Sequence, residues 1–355
     1  MKKIFTRIKN MRLRNKIILS VLTLLTILLL TNCELVIYGI KQGKGQLEMV
    51  RNAVPISDLL NDPEYPDSLK SKLKIIQEVR QFAINNLKLK DSPNYQAVYD
   101  LKGRATAYVV QGCEKYRVKK YVWKFPIVGK LPYKGYFNED EAKAEAKKLE
   151  DKGYDARIVN PSGWSTMGWF KDPVLSSMLN RDESFLADLI IHELTHSTVF
   201  VKNDSELNEN IADYVGENGA KCYLANKYGD TSAVLQNYKD IIDDNEKLAN
   251  YFLVQAHKLD SFYCTQHFLQ LSDSLKDIQK QEFIQKIIFG IDSLDFKVLA
   301  VSKMKNARLK NINNTFFTSY ITYYNRKDSL RLQCKEDFNG DFLKQLEFFK
   351  EKYGK

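Results

Sequence analysis

Cysteine is scarce in this chain, and its cysteines stand far apart. Only five occur in 355 residues, at positions 33, 113, 222, 264 and 334, and none forms a CxxC pair. This spacing excludes a structural zinc knot, which takes its thiolates from closely spaced pairs. The cysteines after position 33 could pair in an oxidising compartment or act as small buried hydrophobic side chains, and both alternatives stay open at this point.

Proline, glycine and low-complexity sequence are also limited. The chain has 8 prolines and 16 glycines, with 44% hydrophobic and 28% charged residues, and neither a repeat nor a biased tract is evident. This composition is typical of a globular protein. A chain of 355 residues is long enough to bury a substantial core in one large domain or two smaller ones.

Positive charge is concentrated at the N-terminus. The net charge is +10, but residues 1–16 hold seven basic residues and residues 17–32 hold no charge, which leaves 10 − 7 = +3 for the remainder. A nearly balanced remainder does not provide the basic surface that nucleic acids require. We therefore expect no nucleic-acid partner.

Residues 1–32 have the layout of an export signal or membrane anchor. The uncharged stretch Ile17–Leu30 is only fourteen residues long, whereas a membrane span needs about 20. Leu30-Thr31-Asn32-Cys33 resembles a bacterial lipobox, in which the cysteine becomes N-terminal and lipidated. An uncleaved signal-anchor is the alternative. Both predict a bacterial envelope protein that is attached to the membrane, with the residues after about 40 extracytoplasmic.

The first half of the remaining chain has a mixed pattern. Residues 45–90 have helical periodicity with breaks near Pro63 and Pro66. Ala105–Gln111 and Lys119–Trp123 are rich in β-branched and aromatic residues, which predicts a strand in each. Further along, a helix with Asn138 as its N-cap and Gly153 as its stop precedes a short strand. We predict an N-terminal α+β region over residues 33–175 with a small sheet.

The second half reads as mainly helical. After Asp182 the periodicity is helical to the end, with breaks near 203–205, 229–231 and 310–314. We therefore predict an α+β fold that is helix-rich overall, with a mainly helical catalytic region over residues 176–355 and a soft boundary near 175.

A candidate metal site lies in this helical region, at His-Glu-Leu-Thr-His over 192–196. Residues four apart stand on one face of a helix, so His192 and His196 direct two imidazoles at one point. Glu193 lies beside them, near enough to hold a water molecule without being a ligand. A satisfied pair of core histidines is the structural alternative.

A second pattern, Asn-Glu-Asn-Ile-Ala-Asp over 208–213, follows at a suitable distance. Catalytic zinc uses three protein ligands and keeps one position open, and two histidines with a glutamate are a known set. We predict Glu209 as the third ligand. Asp213, four residues later on the same face, is predicted to accept a hydrogen bond from a ligand imidazole.

These two patterns together resemble the gluzincin metallopeptidases, in which an HExxH helix is followed by an NExxxD motif on the next helix. Segments outside the motifs, at 33–50, 123–137, 163–173 and 313–324, resemble the bacterial putative aminopeptidase family. The similarity extends over nearly the whole chain after Cys33. It implies a gluzincin-like, zinc-dependent aminopeptidase that contains one zinc ion and acts on peptides.

The expected reaction is hydrolysis of a peptide bond by a metal-activated water, with Glu193 as the general base. An extended substrate needs a strand to pair with, and Ser165, Thr166, Gly168 and Trp169 in the segment 164–170 are our candidates, although this segment could equally be buried structure. For a donor to the oxyanion we predict Tyr323, with Tyr136, His257 and His267 as alternatives.

Two alternatives to an aminopeptidase remain at the level of sequence. The chain lacks a GxMEN-like aminopeptidase signature, so an endopeptidase of the cell envelope would fit the same metal site. A non-catalytic protein that contains zinc and binds peptides is the rival from another class. The intact Glu193 argues against that rival, since a structural zinc ion needs no such carboxylate.

Overall fold

The computed structural model describes residues 33–125, 129–161, 171–202, 204–300, 309, 312–324 and 327–354. Contacts between Cα atoms divide the chain into two units, residues 1–51 and residues 52–355. The described part of the first unit is one helix, α1 (Cys33–Arg51). Among the helices of these ranges, none is both long enough and apolar enough to span a bilayer.

The second unit is a helix-rich α+β structure, as the sequence predicted. Its described helices are α2 (Ile56–Asn61), α3 (Asp67–Asn85), α4 (Glu139–Glu150), α5 (Glu183–Thr198), α6 (Ser205–Tyr228), α7 (Ala233–Tyr263), α8 (Gln266–Leu269), α9 (Asp273–Gly290), α10 (Asn314–Tyr324), α11 (Lys327–Asp337) and α12 (Phe342–Tyr353). Two short 3-10 helices of the described residues lie at Ser176–Asn180, before α5, and at Ile291–Ser293, directly after α9.

The strands form three small sheets within the described residues. They are β1 (Val54–Pro55), β2 (Ala97–Tyr99), β3 (Tyr108–Glu114), β4 (Trp123–Phe125), β5 (Gly129–Leu131), β6 (Tyr133–Tyr136), β7 (Tyr154–Val159) and β8 (Val174–Leu175). The orders are β1-β2-β8, β6-β3-β7 and β4-β5. All pairs are antiparallel except β2 with β8, and β6 lies at one edge of the second sheet.

The predicted strands of the first half exist, but their positions are shifted. Strand β3 begins at Tyr108 and continues to Glu114, because Gly112–Glu114 pair with the start of β7. The predicted strand over Lys119–Trp123 was wrong in its limits. Residues 119–121 instead fold back locally onto the end of β3, through hydrogen bonds such as Tyr121 N to Gly112 O at 2.8 Å, and β4 starts only at Trp123.

Helix boundaries followed local chemistry where a cap was present. Asn138 is the N-cap of α4, with its side-chain oxygen accepting from Glu141 N at 3.0 Å, and Gly153 takes φ +79° beyond the helix end, as predicted. The long helix expected from residue 45, however, ends at Arg51. Pro55 lacks an N–H and cannot continue a helix, so Val54 and Pro55 pair with β2.

The predicted breaks in the helical half are present at Asp204, which caps α6, at Gly229 and Ser232, and before Asn314. Further breaks went unpredicted near Cys264 and Ser272, after Gly290, where α9 ends in a 3-10 turn, and between α11 and α12. The sequence signals of the first two were Thr265 and Ser272, which stand as N-caps.

The four cysteines from position 113 onward are free thiols. Cys113 and Cys334 are buried, Cys222 is half-buried and Cys264 is exposed. The alternative of small buried side chains therefore describes two of the four, and the disulfide alternative describes none of them.

Candidate metal centre

Helix α5 carries the histidine motif through the core of the second unit. Its apolar side chains are fully buried at Leu186, Ala187, Ile190, Ile191 and Leu194. This burial makes isolated charge on the helix costly, because a charged group inside a protein must be paired or must coordinate an ion. The polar residues of α5 that share this environment therefore need partners from neighbouring elements.

Helix α6 supplies those partners by approaching α5 very closely. A Cβ atom added at Gly216 would lie 2.6 Å from Asp188 Oδ1 and 3.0 Å from His192 Cβ. A Cβ atom added at Gly219 would lie 2.8 Å from Ile191 Cγ2. Only glycine leaves room for the α5 backbone and side chains at these two positions.

This close approach brings three candidate ligands together. The Nε2 atoms of His192 and His196 are 3.2 Å apart, and they lie 3.8 and 3.6 Å from the two carboxylate oxygens of Glu209. One ligand atom from each residue falls within 4.8 Å of the others. The spacing of the two sequence patterns predicted this convergence.

The distances suit a small dication. Two nitrogens at about 2.0 Å from a tetrahedral zinc ion would lie about 3.3 Å from each other. The observed separation of the imidazole nitrogens is 3.2 Å, and the carboxylate oxygens are only slightly more distant. The residues present therefore fit a metal ion with two histidine ligands and one glutamate ligand.

Asp213 lies on the opposite side of the His192 ring. Its Oδ1 is 2.9 Å from His192 Nδ1, so the Nδ1 proton is shared with this carboxylate and Nε2 is directed at Glu209. The predicted position of Asp213, one helical turn after Glu209, is the one observed. A carboxylate bound to the second ring nitrogen orients an imidazole ligand and increases its basicity.

The electrostatics of the cluster favour additional positive charge. Burial lowers the pKa of His192, but the hydrogen bond that its Nδ1 donates to Asp213 and the charges of Asp213, Glu193 and Glu209 raise it to about 10. Burial also raises the pKa of Glu209, to about 7, helped by the charges of Asp213 and Glu193. Several carboxylates around two imidazoles thus form a site that a bound cation would stabilise.

Glu193 is buried with 6% of its surface exposed, and Tyr95, which lies outside helices α5 and α6, contacts it. The hydroxyl of Tyr95 hydrogen-bonds to the Glu193 carboxylate. Burial and the nearby charges of Glu193 and Asp172 raise the pKa of Tyr95, so the hydroxyl keeps its proton and acts as the donor. The sequence patterns did not point to Tyr95, which lies in a loop before β2.

A second tyrosine near the cluster comes from strand β6. Burial and the charge of Glu209 raise the pKa of Tyr133, which shows that its side chain lies in the field of that carboxylate. Alternate residues of a strand point to opposite faces. Lys134 and Tyr136 accordingly both point the other way and hydrogen-bond to Glu145, at 3.1 and 2.9 Å.

The remaining sequence candidates have different positions. The Tyr136 hydroxyl is bound to Glu145 rather than directed at the histidines, His257 is exposed on α7, and His267 is at the surface beside Gln279. The backbone of Tyr323 lies in α10, and its side chain is outside the described part of the chain. Four predicted substrate-binding residues also lie outside the described residues: Ser165, Thr166, Gly168 and Trp169.

Comparison with known proteins gives one match. A family model described as "Putative aminopeptidase" matches residues 37–351, which is nearly the whole chain. No curated protein and no solved structure gave a significant match.

Proposed function

The chain belongs to the putative aminopeptidase family, and from this membership we propose that it is a zinc-dependent aminopeptidase in which Glu193 is the general base. One observation supports both the proposed zinc ion and the proposed mechanism. The ligating atoms of His192, His196 and Glu209 lie within 4.8 Å of one another, beside a buried carboxylate that is not one of them.

His192, His196 and Glu209 would hold one zinc ion, because two histidines and a carboxylate in tetrahedral geometry favour zinc over other divalent metals. When bound, zinc lowers the pKa of a water molecule and polarises the scissile carbonyl. Asp213 keeps the Nδ1 proton of His192 in place, so that Nε2 presents its lone pair to the ion.

Glu193 would move the proton of the reaction. Its carboxylate accepts a proton from the attacking water while the water oxygen bonds to the carbonyl carbon. The same proton then passes to the amine nitrogen as the carbon–nitrogen bond breaks, which yields a carboxylic acid and a free amine. The second proton of the water, now on the acid, then passes to the amine, so that the final products are a carboxylate and an ammonium group. Proton transfer of this kind contributes about 10²- to 10⁴-fold to the rate. No side chain becomes covalently attached to the substrate.

A donor is also needed for the negative charge that develops on the carbonyl oxygen. We place Tyr133 in this role beside Tyr323, because Tyr133 is on the edge strand β6 and lies in the electric field of Glu209. Residues 164–170 remain our candidate for the strand that pairs with the substrate. Comparing kcat in the two variants Tyr133→Phe and Tyr323→Phe distinguishes the two tyrosines.

The test is peptide hydrolysis by the full-length chain, purified in detergent and followed by mass spectrometry over a positional peptide library. We expect cleavage that a chelator abolishes and that added zinc restores. Glu193→Gln should retain one zinc ion per chain and lose hydrolysis by at least about 100-fold. Wild-type turnover in that variant would falsify the role of Glu193.

Two alternatives give different results in the same assay. An envelope endopeptidase would cleave free and N-acetylated peptides equally, whereas an aminopeptidase requires the free amino terminus. A non-catalytic protein that binds peptides would retain zinc and cleave nothing across the library. Both outcomes would be compatible with the proposed metal site and would change only the activity that is assigned to the protein.

We further propose that residues 1–32 export the chain and that Cys33 becomes lipidated, which places the peptidase at the bacterial envelope. Labelled fatty acid should then enter the wild-type protein and not the Cys33→Ser variant. If residues 1–32 are instead an uncleaved signal-anchor, the mass of the protein should include them, and neither the wild type nor the variant should carry labelled fatty acid.

A further inference from the structure

Tyr95 is a buried tyrosine in an unfavourable backbone conformation. Its side chain and backbone are 1% exposed, and its φ angle is +60°, in the left-handed region that bulky side chains rarely adopt. A strained conformation of this kind persists only where the surroundings over-determine it, and such residues cluster at functional sites. The question is what holds Tyr95 there and what its side chain does.

The backbone around Tyr95 is held by two hydrogen bonds to one buried residue. Tyr95 N donates to Asp172 O at 2.7 Å, and Asp172 N donates to the side-chain oxygen of Asn94 at 3.1 Å. Asn94 and Asp172 are 2% and 1% exposed. The loop that carries Tyr95 is thereby fastened to the residues just before β8.

A buried guanidinium fixes the same loop from the other side. Arg80 projects from α3, and its Nε donates to Asn94 O at 3.1 Å. One terminal nitrogen, Nη2, donates both to Ser92 O and, at 2.7 Å, to Asp91 Oδ1. A planar guanidinium with several fixed donors imposes orientation, which a flexible ammonium group would not. Tyr95 therefore stands on a rigid support.

At the end of this support, the Tyr95 hydroxyl meets the Glu193 carboxylate. A glutamate on a helix has three rotatable side-chain bonds, while a general base must stand within hydrogen-bond reach of the proton that it takes. We propose that Tyr95 is a positioning residue, whose hydroxyl holds the Glu193 carboxylate in the orientation that proton transfer requires. The proposal rests on the proposed function. Tyr95 itself is too deeply buried to meet a substrate.

The test is Tyr95→Phe, which keeps the ring and removes only the hydroxyl. We expect kcat to fall about 10- to 100-fold with KM changed less than about twofold, because misplacement of a catalytic group acts on the transition state. Zinc content, measured by elemental analysis, should stay at the wild-type ratio. In a Glu193→Gln background the same substitution should cause no further loss of any residual rate.

The matched control is Tyr263→Phe. Tyr263 is also 1% exposed, and its hydroxyl donates to Asn314 Oδ1 at 2.8 Å, among helices that contribute none of the three candidate ligands. Both variants lose one buried hydrogen bond, so both should unfold at similarly lower temperatures. Only Tyr95→Phe should lose kcat. An equal loss of kcat in both variants, or none in Tyr95→Phe at full zinc content, overturns the proposal.

Two further readouts keep the proposal testable. If Tyr95→Phe does not fold, Arg80→Lys loosens the support more gently, and an unchanged kcat in that variant overturns the proposal. If the wild-type protein hydrolyses nothing, the proposed function fails by itself. The orientation of Glu193 is then compared in crystal structures of the wild type and Tyr95→Phe, and an unmoved carboxylate overturns the positioning role.

Discussion

The Nδ1 atom of His192 lies 2.9 Å from Oδ1 of Asp213, one helical turn beyond Glu209 on the neighbouring helix. With Nδ1 held on this side, the imidazole directs Nε2 toward His196 and Glu209. The two helices therefore fix the orientation of the His192 ring as well as its position. This relationship gives the first prediction.

Asp213→Ala should weaken zinc binding about 10- to 100-fold, the usual effect of removing a carboxylate that supports a histidine ligand. Asp213→Asn, which keeps an acceptor without the charge, should be intermediate. Zinc affinity is measured by competition with a chromogenic chelator. Asp230→Asn, an exposed aspartate just after α6, is the control and should bind zinc like the wild type. Unchanged affinity in Asp213→Ala would contradict the supporting role.

The distance between α5 and α6 gives the second prediction. Gly216→Ala would place a methyl group 2.6 Å from Asp188 Oδ1 and 2.9 Å from Asp188 O. Because one of these is backbone, the helices must move apart, which should destabilise the fold by about 1–3 kcal/mol and weaken zinc binding. Chemical unfolding with zinc in excess and with a chelator measures both effects.

The control for this substitution is Gly43→Ala, also in a helix. A Cβ atom added at Gly43 meets nothing within 4 Å, so alanine there should leave zinc binding unchanged and stabilise α1 slightly through its better helix propensity. If Gly216→Ala behaves like Gly43→Ala, the helices have room to spare and close packing does not set the ligand distances.

The convergence of the three candidate ligands could be predicted from the sequence because it depends on local geometry. Residues four apart, such as His192 and His196, share one face of a helix wherever that helix lies in the fold. Glu209 follows on the next helix, after one short turn. The Gly216 and Gly219 pair is a further signal in the sequence, since two glycines three apart on a helix permit close contact with a neighbour.

Other features of the site depend on contacts between distant segments. The contact of Tyr95 with Glu193 requires the loop before β2 to fold against Asp172 and Arg80, and no periodicity encodes this. The different surroundings of the two tyrosines of β6 were equally hidden. Tyr133 and Tyr136 belong to the same short motif, yet Tyr133 lies in the electric field of Glu209, whereas the Tyr136 hydroxyl donates to Glu145.

Cysteine reactivity gives the third prediction. Burial and the charge of Asp155 raise the pKa of the Cys113 thiol to about 12, against partial opposition from a backbone hydrogen bond and Lys280. Alkylation requires the thiolate, so Cys113 should resist iodoacetamide at pH 8 in the folded protein. Cys264, which is exposed, should react first.

Peptide mapping by mass spectrometry, with and without denaturant, measures these rates. Cys264→Ser should remove the fast phase and leave the slow phase unchanged. Labelling of Cys113 in the native protein at a rate near that of Cys264 would show that the β3 region opens readily, contrary to its burial between β7 and the loop of residues 115–118.

Acid sensitivity gives the fourth prediction, through Asp244 on α7. Its side chain is 0% exposed, and its oxygens accept from the backbone N–H groups of Lys297, Val298 and Leu299 at 3.0, 2.7 and 3.0 Å. Burial acts to raise the pKa of Asp244, but these three donors outweigh it and lower the pKa below its ordinary value. A lowered pKa in the folded state means that the ionised carboxylate stabilises the fold.

The sign of the pH dependence follows directly. This stabilisation is complete above the unfolded pKa of about 3.9 and is lost as the pH falls through the lower pKa of the folded state. Asp244→Asn should therefore lower stability by about 1–3 kcal/mol at pH 7 and flatten the loss of stability between about pH 5 and pH 3. Asp243→Asn is the control, because that neighbouring carboxylate is 54% exposed and pairs with Lys297 at the surface. Thermal unfolding across this pH range measures the loss of stability in both variants and the wild type. If Asp244→Asn loses stability with falling pH as steeply as the wild type, other carboxylates control the acid sensitivity.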